Sequence, residues 1–171
     1  MNRHRSALLV AAAGLAGIAL ICVGAVRPRV PRLVWNLSAS APEGLYEVTS
    51  ADRLAVGDMV IARIPAPYRT LAATRRYIPQ RIPLVKQIVA GPGDQICALG
   101  DTLFLNGVRL ADRRRRDGAG RIMPVWQGCI RLRPGQLFLL MRASPLSFDG
   151  RYFGITDRRD IIGKARLLWA R

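Results

Sequence analysis

Residues 82–94 read Ile82-Pro83-Leu84-Val85-Lys86-Gln87-Ile88-Val89-Ala90-Gly91-Pro92-Gly93-Asp94. Branched apolar side chains fill the run and a Gly-Pro-Gly-Asp turn closes it, so a strand is expected over Leu84–Ala90. The same pattern recurs on both sides. Upstream, Val56-Gly57-Asp58 forms a turn leading into a strand over Met59–Ile64. Downstream, Asn106-Gly107 joins Thr102–Leu105 to Val108–Leu110 as a tight hairpin. Gln136–Met141 and Lys164–Ala170 read as two more strands, and Pro67–Arg81 has the composition of a helix or loop. Residues 36–171 are therefore expected to be a mainly β domain.

The segment before this body is different in kind. Residues 6–26, SALLVAAAGLAGIALICVGAV, carry no charge, and as a helix they would be about 31 Å long, enough to cross a bilayer. This predicts one N-terminal transmembrane helix behind a basic tail, residues 1–5. Val23-Gly24-Ala25 is also a loose small-x-small cleavage site, so a removable signal peptide competes. The length of the apolar run, beyond the usual core of about 7 to 15 residues, favours the anchor. Pro28 and Pro31 cannot continue a helix, so residues 27–35 are expected to be a stiff extended linker. Arg3 and Arg5 on one side of the run are balanced by Arg27, Arg29 and Arg32 on the other, and charge alone does not set the orientation.

Composition removes several function classes. The chain has 171 residues and a formal net charge of +16, which would ordinarily point to nucleic acid or an anionic surface. Aromatics make up only 6% and do not alternate with basic residues, so base stacking has no support and no nucleic-acid partner is expected. No Gly-rich phosphate loop is present, and no cofactor is expected. His4 is the only histidine, which excludes a histidine triad or a histidine-bearing zinc site from the body. Cys22, Cys97 and Cys129 lack metal-ligand spacing, so no metal is expected; Cys97 and Cys129 could pair if the body lies in an oxidising compartment. The run Asp112–Arg121, DRRRRDGAGR, reads first as a solvated loop, with Arg113 to Arg116 attracting anionic headgroups as the sharper alternative.

Without histidine, a nucleophile needs another base. Of the 27 basic residues only Lys86 and Lys164 are lysines, and an ammonium can be deprotonated by burial where a guanidinium cannot. Strand alternation places Lys86 on the face of Leu84 and Ile88. Lowering a lysine pKa from about 10.4 to about 7 takes roughly 4 to 5 kcal/mol, which nearly complete desolvation can supply. The competing account is a strand-edge lysine whose stem covers Leu84 while its amine reaches water. Serines are few. Asn36-Leu37-Ser38-Ala39-Ser40-Ala41-Pro42-Glu43-Gly44-Leu45-Tyr46 puts two of them on one face of an extended segment before a turn. One could attack a carbonyl while the backbone N–H of Ser40 and the hydroxyl of Ser38 receive the oxyanion; a polar strand end is the plainer account.

Taken in order, the serine window, Gly57-Asp58 with its strand, Lys86 ahead of Gly91-Pro92-Gly93-Asp94, and Ser147-Phe148-Asp149-Gly150-Arg151-Tyr152-Phe153-Gly154 resemble the type I signal peptidases. Within them the likeness is closest to the TraF-type conjugative-transfer branch. The resemblance implies a signal-peptidase-like β catalytic domain with Ser40 as nucleophile, Lys86 as general base, Ser38 as oxyanion donor and Ser147 as the hydroxyl that orients the Lys86 amine. Asp149 and Arg151 would form a supporting ion pair. Three positions depart from the family pattern. Pro42 lies two residues after Ser40 with no methionine between, Gln87 stands where arginine is usual, and Gly150 where serine is common.

The resemblance further implies a single-pass protein of the bacterial inner membrane, with residues 36–171 in the periplasm, where Cys97 and Cys129 could bond. The expected function is a serine endopeptidase that matures a conjugative pilin precursor through a Ser–Lys acyl-enzyme, with cyclisation if the substrate's own amine resolves the ester. Two alternatives stand beside it: a general type I signal peptidase acting on exported preproteins, and a non-enzymatic anchored component that meets other proteins of a transfer apparatus.

Overall fold

Alternation and turn chemistry divide the body into short strands. In a computed structural model of the chain the described residues are 13–14 and 32–171. The elements, in chain order, are β1 (Leu33–Asn36), β2 (Gly44–Thr49), β3 (Met59–Ala62), α1 (Ala66–Thr74), β4 (Leu84–Ala90) and β5 (Gln95–Leu99). They continue with β6 (Thr102–Leu105), β7 (Val108–Asp112), β8 (Gly128–Arg131), β9 (Gln136–Leu140), α2 (Gly150–Phe153), β10 (Thr156–Asp157) and β11 (Ile161–Ala170). The fold class is mainly β, as expected. The anchor expected over residues 6–26 lies outside the described residues.

A seven-stranded antiparallel sheet runs β1-β2-β11-β3-β4-β9-β10, and a second sheet of four runs β7-β6-β5-β8. β4 is buried on both faces along nearly its whole length, which is why its sequence is almost continuously apolar rather than alternating. β2, buried on one face only, alternates. Val89, Ala90, Phe138 and Leu140 of the large sheet share one core with Ile96, Ala98 and Leu103 of the small one. A neighbouring core gathers Ala41, Tyr46, Val48, Ile61, Val85, Met141 and Ala165. Helix α1 seats Ala72 on Ile64, Leu84 and Phe153.

The differences from the sequence reading have local causes. The linker expected over 27–35 gives way at Leu33 to β1, because Leu33–Asn36 pair with Glu47–Gly44 of β2. Trp35 also packs 5.3 Å, centroid to centroid, from Trp169. β11 begins three residues before Lys164, with Gly163 where a side chain would meet Thr49 across the strand pair. β3 stops at Ala62 rather than Ile64, since the Arg63 N–H leaves the ladder for the Asp160 carbonyl. The run 113–116 is not uniformly solvated: Arg113 is buried, donating to the carbonyls of Trp126 and Gly100 at 2.7 Å each.

Candidate active site

β1 and β2 are the two arms of a hairpin closed by Asn36 opposite Gly44, and residues 37–43 between them carry both serines. Gly44 is what lets the arms close. Its φ is +148°, and a Cβ there would run into the Trp169 carbonyl of β11. The buried Asn36 side chain organises the turn. Its Oδ1 accepts from the Ser38 N–H at 3.1 Å, and its Nδ2 faces the carbonyls of Ser38, Ala41 and Pro42 at 3.0, 3.2 and 3.0 Å. Tyr46 Oη adds a 2.8 Å bond to the Pro42 carbonyl. Sequence reasoning assigned no role to Asn36 or Tyr46. An Asn two residues before a serine at a strand end is an Asx-turn pattern, and that signal was available for Asn36.

Onto this turn β4 projects Lys86. Its Nζ donates to Ser40 Oγ at 2.8 Å, and Ser40 Oγ lies 2.9 Å from Ser38 Oγ. The Ser40 N–H reaches Ser38 Oγ at 3.4 Å, a long bond that a better acceptor would displace. Lys86 is 2% exposed. Burial brings its pKa down to about 8, with Asp149 pulling it upward and Arg151 pushing it further down. At neutral pH and above, a useful fraction of the amine is therefore uncharged. In that state the same contact can run in reverse, with the Ser40 hydroxyl donating to the nitrogen lone pair.

The loop from β9 into α2 supplies the rest. Asp149 is fully buried. It accepts from Arg151 Nη1 at 2.7 Å, from the Arg151 N–H at 3.1 Å and from the Met141 N–H at 3.1 Å. Arg151 in turn donates to the carbonyls of Ser144 and Met141 at 3.1 and 2.9 Å, so the pair ties both ends of residues 141–151 together. Burial raises the Asp149 carboxyl above the ordinary range, opposed by Arg151 and Lys86. Ser147 is buried, but its Oγ has no hydrogen-bond partner among the described residues, so the bond to Lys86 expected of it is not formed here. Cys97 and Cys129 stand opposite each other on β5 and β8 and are joined as a disulfide.

The cluster brings a serine hydroxyl, a buried amine and further hydroxyl and amide donors into mutual reach, an arrangement that can support acyl transfer without histidine. The profile of the family described as "Signal peptidase, peptidase S26" matches residues 4–170. The chain belongs to the signal peptidase family. Membership carries general signal-peptidase-type hydrolysis of preproteins and association with a membrane.

Two relatives are each described as "Plasmid transfer protein TraF" from Escherichia coli. One is 29% identical over 159 residues, covering 91% of this signal peptidase and 85% of the relative. The other is 32% identical over 91 residues, covering 50% and 51%. Among solved structures, a signal peptidase I from Enterococcus faecalis V583 is similar over 67% of this chain and 98% of that one, with 19% identity and a TM-score of 0.40.

Proposed function

We propose that this signal peptidase is a membrane-anchored serine endopeptidase using a Ser40–Lys86 dyad, and that its substrate is a conjugative pilin precursor processed at the periplasmic face. The observation that carries the chemistry is the 2.8 Å contact between Lys86 Nζ and Ser40 Oγ at an amine whose pKa burial lowers to about 8. Ser40 Oγ forms a bond to the scissile carbonyl carbon as its proton passes to Lys86 Nζ. The oxyanion is received by the Ser40 N–H and the Ser38 hydroxyl, which turns from Ser40 to reach it. Lys86 then gives the proton to the departing amine, leaving an ester on Ser40. Water resolves the ester to a carboxylate; a substrate amine resolves it to an amide and closes a ring. Asp149 and Arg151 hold the loop beside the amine. Support for a role in plasmid transfer comes from the two relatives described as plasmid transfer proteins, and the pilin substrate rests on the TraF-type resemblance of the serine, lysine and Ser147–Gly154 windows.

The test is the intact mass of the host's candidate pilin subunit in cells carrying the wild-type gene, Ser40→Ala or Lys86→Arg. Arginine keeps the charge but cannot act as a base. The expected result is an unprocessed precursor in both variants and a processed product in wild type, short by one further water if cyclised. Normal pilin processing with either variant, each shown to be folded and present, overturns the dyad. Accumulation of many exported preproteins rather than the pilin alone replaces the pilin reading with a general signal peptidase.

A further inference from the structure

Away from the serine turn, the small sheet carries a second site. Residues 113–127 leave β7, cross-link to themselves through a bridge between Arg116 and Ile122, and return to β8. They enclose a cavity of about 360 Å³. Arg113, Arg115 and Arg116 line it together with Ile122, Met123 and Val125, the arginines and the apolar residues lying side by side through the Arg116–Ile122 bridge.

Arg113 is only 4% exposed, and among the described residues its guanidinium forms no ion pair, Asp101 attracting it without contact. Two of its nitrogens donate to the neutral carbonyls of Trp126 and Gly100, the Gln127 side-chain oxygen accepts from Nη2 at 3.0 Å in the amide orientation that also lets its nitrogen donate to the Ala98 carbonyl, and the buried Nε has no partner among the described residues. Asp101, the acid on the cavity wall, is engaged at 2.6 Å by Arg115. Among the described residues the Arg116 side chain reaches the Gly120 carbonyl, at 2.7 Å. A buried cation with an unmet donor is costly unless an anion completes it. The apolar lining beside the arginines is open to solvent, with Ile122 67% and Val125 56% exposed. No aromatic ring lines the cavity for a nucleobase to stack on.

We infer that this cavity binds the headgroup phosphate of an anionic phospholipid, with Arg113, Arg115 and Arg116 around the phosphate and the proximal acyl chain lying against Ile122 and Val125. A phosphodiester suits forked guanidinium donors, and the apolar lining beside them asks for a ligand that is greasy on one side. Membrane association, carried by family membership, supplies such a ligand. The inference does not depend on the Ser40–Lys86 chemistry.

The experiment uses the full chain in a neutral detergent, titrated with dihexanoyl-phosphatidylglycerol, dihexanoyl-phosphatidylcholine or glycerol 3-phosphate, with binding read by calorimetry. Phosphatidylglycerol is expected to bind at least about tenfold more tightly than either alternative, since only it offers both net charge and chain. Arg113→Met should abolish the difference. Because Arg113 is also structural, the exposed pair Arg115→Gln with Arg116→Gln provides a second reading, expected to weaken phosphatidylglycerol about tenfold while peptidase activity in detergent is retained. Ile122→Ser, which removes apolar surface without adding charge, should weaken the lipid and leave glycerol 3-phosphate unchanged. Equal binding of the two lipids, or an unchanged affinity in the double variant, overturns the site. Glycerol 3-phosphate binding as tightly as phosphatidylglycerol overturns the lipid and leaves a free-anion site.

Discussion

Lys86 is charged in the unfolded chain up to about pH 10.5 and in the folded one only up to about pH 8. Two consequences follow from that one difference. With neutral Lys86 as the base, the rate should rise about tenfold per pH unit on the acid side and level off near pH 8, as read from the pH profile of kcat/KM on a cleavable peptide. Lys86→Arg should be inactive throughout. The second consequence is for stability. The folded pKa is depressed, so the folded chain holds fewer protons than the unfolded one between about pH 8 and 10.5, and stability gains with pH across that window. The gain, about 3 kcal/mol, is lost again as pH falls through 8. Lys86→Met should remove this pH dependence in urea titrations. Asn36 is a positioning residue, since it touches the turn and not the substrate. Asn36→Ala should lower stability by about 1 to 3 kcal/mol, from the polar groups it leaves unmet. It should lower kcat more than KM, and a fall in stability with kcat untouched would show that the Asn36 bonds only hold the hairpin.

Among the elements, the four-residue α2 places Asp149 and Arg151, and it does so by pressing its first residue against β9. A Cβ on Gly150 would lie 2.7 Å from both the Leu139 carbonyl and Phe138 Cζ. Phe138 is fully buried, and Trp126 packs edge-on against it, 6.1 Å between centroids, while donating to the Gly150 carbonyl at 3.0 Å. The glycine is thus the counterpart of a large aromatic beneath it. Gly150→Ser is expected to destabilise by about 1 to 3 kcal/mol through overpacking. Phe138→Leu combined with it should recover part of that loss, a non-additivity that thermal denaturation of the two single variants and the double variant would measure. Simple additivity would show that the backbone contact with Leu139, and not the ring, sets the limit.

For the whole molecule, two sheets share one apolar core, and the Cys97–Cys129 bond closes a 32-residue loop within the smaller sheet. By loop-closure entropy such a bond contributes about 3 to 4 kcal/mol. Changing both cysteines to alanine should lower Tm by about 10 °C, with the peptidase rate at low temperature preserved, because Lys86 lies on the larger sheet and Ser40 on the turn between its β1 and β2. A parallel collapse of activity would show that the serine turn and Lys86 depend on the smaller sheet through the core the two share. The sequence by itself determined the strands with strong turn signals, β4 and the β6–β7 hairpin above all, because Gly, Pro and Asn constrain the backbone locally. It also determined the family and singled out Ser38, Ser40 and Lys86, since so few serines and lysines were available. It missed β1, β2, β5, β8 and β10, strands whose identity rests on pairing with other segments of the chain. The tertiary structure alone decided that Lys86 is sealed from water and in contact with Ser40, that Asn36 clamps the serine turn, that Ser147 is buried without a bond to Lys86, and that Arg113 is buried. Each of these depends on what surrounds a side chain in space, and burial and polar partners are set by packing between segments that the order of residues does not place side by side.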